Sequence, residues 1–533
     1  MKKIVSLFFI TLLLLTQNVI ANINCPSELG KTAIQAGGRI KPLSVHAKEA
    51  LKFLTGKTSY QDLDATQTYC QFSLQFLLDE KSRFELPLRI DNIKTKAFLG
   101  LPEDEHSASP HFLITRLNDI EDYQKVLESR NEDEGLQTDL KKVAQRTKLY
   151  FEIINGQNWK LPILLNAGHH TEQDSAVQNA DSSENLQTRW ITIREMQTLF
   201  GNTMKDSDQI IKAVLVANEK YTEQKGNQHL LEYQYDKSRF FQWAILIGIL
   251  SLGITFVSKK LTNIPLVISL IALFSLQISG IVYRVLISGR APVTNMYETV
   301  MWVGFGGLFF ALLLALFRKE KLFLIAGLIM NTLCLFMMNF ANNMLDPSIQ
   351  PLVPVLRDNF WLSTHVTMIT ISYAALGLSW VLANYAMIKS LVGKSDKQDT
   401  KRLQTFCYDA IKIGVVLLAG GIILGGVWAD YSWGRFWGWD PKETWSLIAL
   451  MTYMAILHGR YAGWINTERF IPLVALAFLT IIMAWFGVNY ILATGLHSYG
   501  FSNGGAIFIT SVVATQLLIL GLFWAKTMKK QKA

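Results

Sequence analysis

IGVVLLAGGIILGGVWADYSWGRFWGWDPKETWSLIALMTYMAIL, residues 413–457, sets the problem of this chain. Two apolar runs, Ile413 to Trp428 and Trp445 to Leu457, read as membrane helices. The polar stretch between them holds Trp433, Trp437, Trp439 and Trp445 with Arg435, Asp440, Lys442 and Glu443. With Trp428, five of the fourteen tryptophans fall within residues 428–445. An anchoring belt of interfacial tryptophans would be spread over both ends of many helices. Here the rings cluster with Gly434 and Gly438, which let backbone approach a bound object, and with Asp440-Pro441, which sets a turn or a helix start. A broad, flat, apolar ligand is the occupant such a loop suits.

The rest of the chain supports a membrane setting. Of 533 residues, 50% are hydrophobic and only 17% charged. Apolar runs recur at Phe240 to Val257, Ile264 to Tyr283, Val300 to Phe317, Leu322 to Phe340, Val366 to Ile388, Ile413 to Trp428, Trp445 to Leu457, Phe470 to Leu492 and Ala506 to Ala525. Most have the length that about 30 Å of hydrocarbon requires, so the expectation is a polytopic α-helical protein of about nine spans over residues 240–526. Short-loop cations alternate: Lys259 and Lys260; Arg318, Lys319 and Lys321; Lys389 to Arg402; Arg460 and Arg469; and the basic tail of residues 527–533. By the positive-inside rule these ends are cytoplasmic, which puts the tryptophan loop on the outer side. No internal repeat of the helices is visible, which weakens a duplicated-transporter reading.

The N-terminal part differs. Residues 1–21 carry Lys2 and Lys3, an apolar run and Val19-Ile-Ala21, the pattern of a signal peptide; an uncleaved anchor is the alternative. Residues 22–239 have the composition of a soluble, mixed α/β extracytoplasmic domain. Tyr123 to Arg130 and Leu140 to Tyr150 read as helical, Trp159 to Leu165 and Trp190 to Ile193 as short buried strands, and His169 to Gln187 as a polar loop. His169 and His170 have no further metal ligand nearby and read as a solvated pair. Gly37 to Leu43 reads as a turn before an amphipathic helix.

Three of the nine histidines lie in the membrane half, where ionisable groups are functional candidates. His365 opens the fifth span and His497 closes the eighth, both at the depth of the tryptophan loop. Two neutral imidazoles beside an aromatic platform are what an axial pair on a haem iron requires. His458 lies thirteen residues after Trp445, about 20 Å deeper along the helix; it either packs at the cytoplasmic edge or ligates at a second haem position.

WGRFWGWDPKE (433–443) resembles the WWD signature of haem-handling membrane proteins. With His365, His458 and His497 in order, and SGRAPVTNMYE (288–298), residues 260–525 resemble the CcsA/ResC subunit of the system II cytochrome c synthase. That resemblance implies a holocytochrome c synthase (haem lyase) activity in a bacterial inner membrane. Haem b is presented on the periplasmic side, for thioether attachment to the CXXCH cysteines of apocytochrome c. It implies catalytic roles for His365, His497 and Asp440, iron ligation by His365, His497 and His458, and haem contacts from Trp433, Trp437, Gly438, Trp439, Asp440 and Trp445. The family's other transmembrane histidine comes from a CcsB/ResB part that residues 1–239 do not match, which implies a separate CcsB/ResB-like partner subunit.

Arg284, Arg290, Arg357, Arg435 and Lys442 fall on the outer side against the positive-inside trend and are candidates for holding haem propionates. The four cysteines, Cys25, Cys70, Cys334 and Cys407, contain no CXXC pair, so thiol-reducing partner proteins must keep the substrate cysteines reduced. A Cys25–Cys70 disulfide fits an oxidising compartment. The rival readings are a system I-type haem delivery protein, a membrane haem transporter, and a b-type redox protein without ligase activity.

Overall fold

Residue contacts divide the chain into Met1–Lys237 and Ser238–Ala533. The structure is a computed structural model describing residues 23–78, 83, 85–130, 132–166, 186–201, 206–341, 344–352, 358–394, 396–492 and 505–532. The expected signal peptide, His169, His170, Arg357 and His497 lie outside the described residues.

In the first unit, strands β1 (Ala33–Ala36) and β2 (Arg39–Pro42) form an antiparallel hairpin. It turns at Gly37 and Gly38, whose φ of 59° and 77° is the left-handed region open to glycine. Helix α1 (Leu43–Thr55) follows, as the amphipathic reading expects, and buries Leu43, Ala47, Ala50, Leu51 and Leu54. Helix α2 (Ala65–Ser73) starts on a capping box between Asp64 and Gln67. The Cys25–Cys70 disulfide is present and ties residue 25 to this helix.

Two-residue strands β3 (Leu88–Arg89) and β4 (Ser107–Ala108) pair around α3 (Ile93–Leu99). Then come α4 (Pro110–Thr115), α5 (Leu117–Arg130) and α6 (Glu134–Ile154), the last two containing both expected helices. Strands β5 (Lys160–Asn166) and β6 (Leu186–Thr192) pair antiparallel where strands were expected. Helices α7 (Ile193–Phe200), α8 (Ser207–Lys225) and α9 (Gln228–Ser238) complete the sequence. The described unit is therefore chiefly helical with three two-stranded ribbons, rather than a domain built on one sheet.

A polar cluster sits in its core. His46 Nε2 lies 3.0 Å from the Tyr69 hydroxyl and 2.9 Å from Asn158 Oδ1. Burial, with the Lys41 ammonium adding repulsion, lowers the His46 imidazole to about 4.

The second unit is a helical bundle: α10 (Phe240–Val257), α11 (Ile264–Ser288), α12 (Met296–Arg318), α13 (Lys321–Phe340), α14 (Thr367–Leu391), α15 (Lys397–Trp433), α16 (Pro441–Tyr461), α17 (Thr467–Ile482) and α18 (Gly505–Lys532). A short helix, Asn359–Trp361, and a π-helical segment, Leu362–Val366, lead into α14. A second π-helical segment, Met483–Leu492, continues α17.

Nine spans were expected from the apolar runs. Among the described residues, eight helices are long and apolar enough to cross a membrane: Gln228–Val257, Ile264–Ser288, Met296–Arg318, Lys321–Phe340, Asn359–Leu391, Lys397–Trp433, Thr467–Leu492 and Gly505–Met528. Helix α16 falls short by composition, not length. Its 21 residues include Lys442, Glu443, Thr444, Ser446, Thr452, His458 and Arg460, while a 21-residue helix extends about 31 Å. It packs against α15 and α17.

Close helix approach depends on small residues, because apolar side chains gain nothing by leaving lipid and packing must supply the attraction. On α12 and α13, a Cβ added at Gly327 would fall 2.2 Å from the Ala311 Cβ and 3.2 Å from the Gly307 carbonyl oxygen. A buried amide pair, Asn331 Nδ2 donating to Gln277 Oε1 at 2.8 Å, links α13 to α11.

Two tests follow from this packing. Gly327→Ala forces α12 and α13 apart and lowers bundle stability by about 1–3 kcal/mol, read as a shift in the detergent-solubilised protein's thermal midpoint; an unshifted midpoint refutes the contact. For His46, the folded pKa of about 4 lies below the unfolded value near 6.5. The unfolded chain therefore binds the extra proton across that window. Stability is full above about pH 6.5 and falls by on the order of 3 kcal/mol as pH drops towards 4. Hydrogen exchange in residues 43–55 should show this loss in the parent and a flatter dependence in His46→Gln; identical slopes would exclude it.

Candidate functional site

The π-helical segment Leu362–Val366 carries His365. Such one-turn insertions rotate the residues they hold and recur at functional sites. The His365 ring is held on one side by α15, where Nδ1 donates to the Gly421 carbonyl at 2.8 Å. That bond assigns the ring proton to Nδ1 and makes Nε2 the basic nitrogen. The same arrangement orients histidines that ligate metals.

Helix α15 admits the ring because it presents glycines there. A Cβ at Gly425 would stand 2.5 Å from His365 Cε1, and one at Gly421 would stand 2.6 Å from Ile369 Cδ1. Gly426 gives the same room to the Phe436 ring, whose Cζ would lie 2.5 Å from its Cβ. Trp428 meets His365 edge-on at 5.8 Å between centroids.

These groups line one cleft that opens to solvent. Trp433, Trp437, Tyr373 and Trp485 complete its aromatic lining, and Lys442, Glu443 and Ser446 enter from α16. Among these lining residues, the indole N–H groups of Trp428 and Trp437 and the Asn489 carbonyl oxygen are buried without hydrogen-bond partners. A large flat ligand with an anionic edge fits this donor set: one basic imidazole nitrogen, apolar faces, orphaned indole donors and one ammonium.

The loop is fixed by its own carboxylates. Asp440 caps α16 by accepting from the Lys442 amide at 3.0 Å, in a capping box with Glu443. Glu443 Oε2 accepts from the Gly438 amide at 2.8 Å and the Asp440 amide at 3.2 Å. Trp439 has a φ of 58°, costly for a bulky residue, and its exposed ring meets Trp437 edge-on at 6.0 Å.

The structure brings His365, Trp433 and Trp437 of the expected site to the cleft, together with Trp428. Gly438, Trp439, Asp440 and Trp445 belong to the loop and helix start that carry it and are not among the lining residues. His458 is exposed on α16, with Nδ1 donating to the Met454 carbonyl at 2.8 Å, on a face shared with Ile448, Met451 and Ala455. Of the described propionate candidates, Lys442 reaches the cleft. Arg284 is instead fully buried and paired with Glu298, because a guanidinium inside a bundle requires an opposite charge. Arg290 donates to the Gln350 carbonyl at 2.6 Å, and the Arg435 guanidinium fills the space a Gly438 Cβ would take.

Sequence reading singled out 288–298 without giving it a place in the site, where Val293 to Met296 with Thr299 form a wall, and it missed the contributions of Trp485 and Asn489. The polar Asn489 within an apolar span was the signal for the latter.

The cytochrome c assembly protein family matches residues 293–497, from the first residue of that wall through the tryptophan loop. The cytochrome c biogenesis protein CcsA of Guillardia theta is 34% identical over 288 residues, covering 49% of this chain and 94% of that protein. CcsA of Chlamydomonas reinhardtii is 34% identical over 266 residues, covering 48% and 73%. Protein NrfI of Wolinella succinogenes is 28% identical over 514 residues, covering 88% of this chain; the chain spans 54% of NrfI's length. The histidine, the tryptophan loop and the wall of the cleft thus all lie in the matched segment, and the chain belongs to the CcsA family of cytochrome c biogenesis proteins.

Proposed function

We propose that this chain is the haem-handling subunit of a cytochrome c synthase, holding haem in the tryptophan-lined cleft for attachment to apocytochrome c. The observation that carries the reading is the His365 imidazole, its tautomer set by Gly421, inside an aromatic cleft with orphaned indole donors. His365 and His497 serve as the axial pair. Trp433, Trp437 and Trp428 cover the faces, and Lys442 neutralises a propionate. Asp440 acts by holding the loop that presents the substrate edge.

The bond-forming step is redox-neutral. The cysteine sulfur of the apocytochrome bonds to the inner vinyl carbon, and the thiol hydrogen ends on the outer one. This chain has no dithiol to reduce its substrate: Cys25 and Cys70 are joined, while Cys334 and Cys407 are buried. Thiol-reducing partners therefore supply reduced cysteines. Exchange of one imidazole ligand for the substrate's own histidine replaces like with like.

In this reading residues 22–239 lie outside a bacterial inner membrane and the basic tail inside, which the alternation of short-loop cations supports. The exposed face around His458 is covered by a CcsB/ResB-like subunit, with His458 ligating haem on its way to the cleft. Its Nδ1–H is bonded to Met454 in the manner of His365, which supports that role.

Purified parent protein should carry a reduced bis-imidazole haem spectrum, and His365→Ala and His497→Ala should each retain about ten-fold less haem or more; parent-like spectra in both would remove the ligand assignment. Gly425→Ala pushes the imidazole off the Gly421 carbonyl and should weaken haem retention by about 10–100-fold, with the protein still folded by circular dichroism. Undiminished retention would show that this contact does not orient the ligand.

A further inference from the structure

Arg284, near the end of α11, is 0% exposed. Its Nε and Nη2 donate to Glu298 Oε1 at 3.1 and 2.6 Å, and Nη1 donates to the Pro347 carbonyl at 2.9 Å. The other carboxylate oxygen of Glu298 accepts from the Thr294 amide and hydroxyl, each at 2.8 Å. Asn295 caps α12 by accepting from the Glu298 amide at 2.9 Å, and its Nδ2 donates to the Ser348 carbonyl at 3.3 Å. One buried ion pair thus joins the end of α11, the start of α12 and the segment at 347–348.

From the start of α12, two hydrogen bonds cross to the second π-helical segment. Trp485 Nε1 donates to Thr299 Oγ1 at 2.9 Å, and Asn489 Nδ2 donates to Met296 Sδ at 2.8 Å. Thr294, Met296, Thr299, Trp485 and Asn489 all line the cleft.

We infer that Arg284 and Glu298 are positioning residues. Their ion pair fixes the cleft wall at 293–299 and, through Met296 and Thr299, the π-helical segment Met483–Leu492. Well-packed apolar side chains stabilise a bundle as well as a buried ion pair does, so what the pair adds is a defined geometry. The inference rests on the reading of the cleft as a haem site: the pair then holds the wall and the segment between which haem is seated.

The test uses the full chain purified in detergent. One variant is Glu298→Gln; the other is the double variant Met296→Leu with Thr299→Val, which leaves the ion pair intact and cuts the two crossing bonds. Hydrogen exchange in residues 483–492 should accelerate about ten-fold in both, with exchange in α13 unchanged. Retained haem, oxidised to the ferric state, should lose its low-spin bis-histidine electron paramagnetic resonance signal to a five-coordinate high-spin one while staying bound. If Glu298→Gln does not fold, the double variant decides.

Unchanged exchange in 483–492, or acceleration spread over the whole bundle, overturns the inference. Faster exchange confined to 483–492 in a protein whose parent binds no haem upholds the positioning role and overturns the haem reading. Faster exchange with an unchanged low-spin signal overturns the link to haem coordination.

Discussion

An imidazole can offer a metal only the nitrogen its proton leaves behind. In this protein the choice is made by one hydrogen bond, from His365 Nδ1 to the carbonyl of Gly421. A backbone carbonyl has two lone pairs, so Gly421 can keep its place in α15 while receiving the ring. The bond exists because Gly421, Gly425 and Gly426 strip one face of α15 of side chains. The aromatic lining of the cleft is arranged around the position this bond gives the ring.

The tryptophan loop meets a second requirement, which is rigidity without bulk. Loops at a membrane surface lose affinity for a ligand if they must be ordered on binding. Here the ordering is already present: Asp440 and Glu443 satisfy the amides of Gly438, Asp440 and Lys442, and Arg435 lies against the bare face of Gly438. The acidic residues of the motif hold backbone, while Trp433 and Trp437 line the cleft. Buried charge elsewhere in the bundle serves shape in the same way, as the Arg284–Glu298 pair shows.

Much of this architecture was legible in the sequence because membrane helices announce themselves by length and apolar content. The Asp-Pro helix start and the turn at Gly37-Gly38 were also readable, each being a local event. Among the described residues eight helices meet both length and composition, and α16 falls short through polar groups that a run-counting reading tolerates. Arg284 was misread for a related reason. Its position beside an outer loop suggested an anion-binding cation, and only packing shows that Glu298, fourteen residues later, already faces it.

By itself, the sequence determined the helical membrane half, the place of the tryptophan loop between two helices, and the histidines available to it. These follow from hydrophobicity, helical rise and local capping, which act over a few residues. Which of those groups share a cavity was decided by tertiary structure. The approach of α14 to α15, the π-helical turn of His365 and the wall at 293–299 depend on contacts between segments far apart in the chain, and no local pattern encodes such a contact. Trp433 and Trp437 reach the cleft while Trp439 and Trp445, drawn from the same motif, do not.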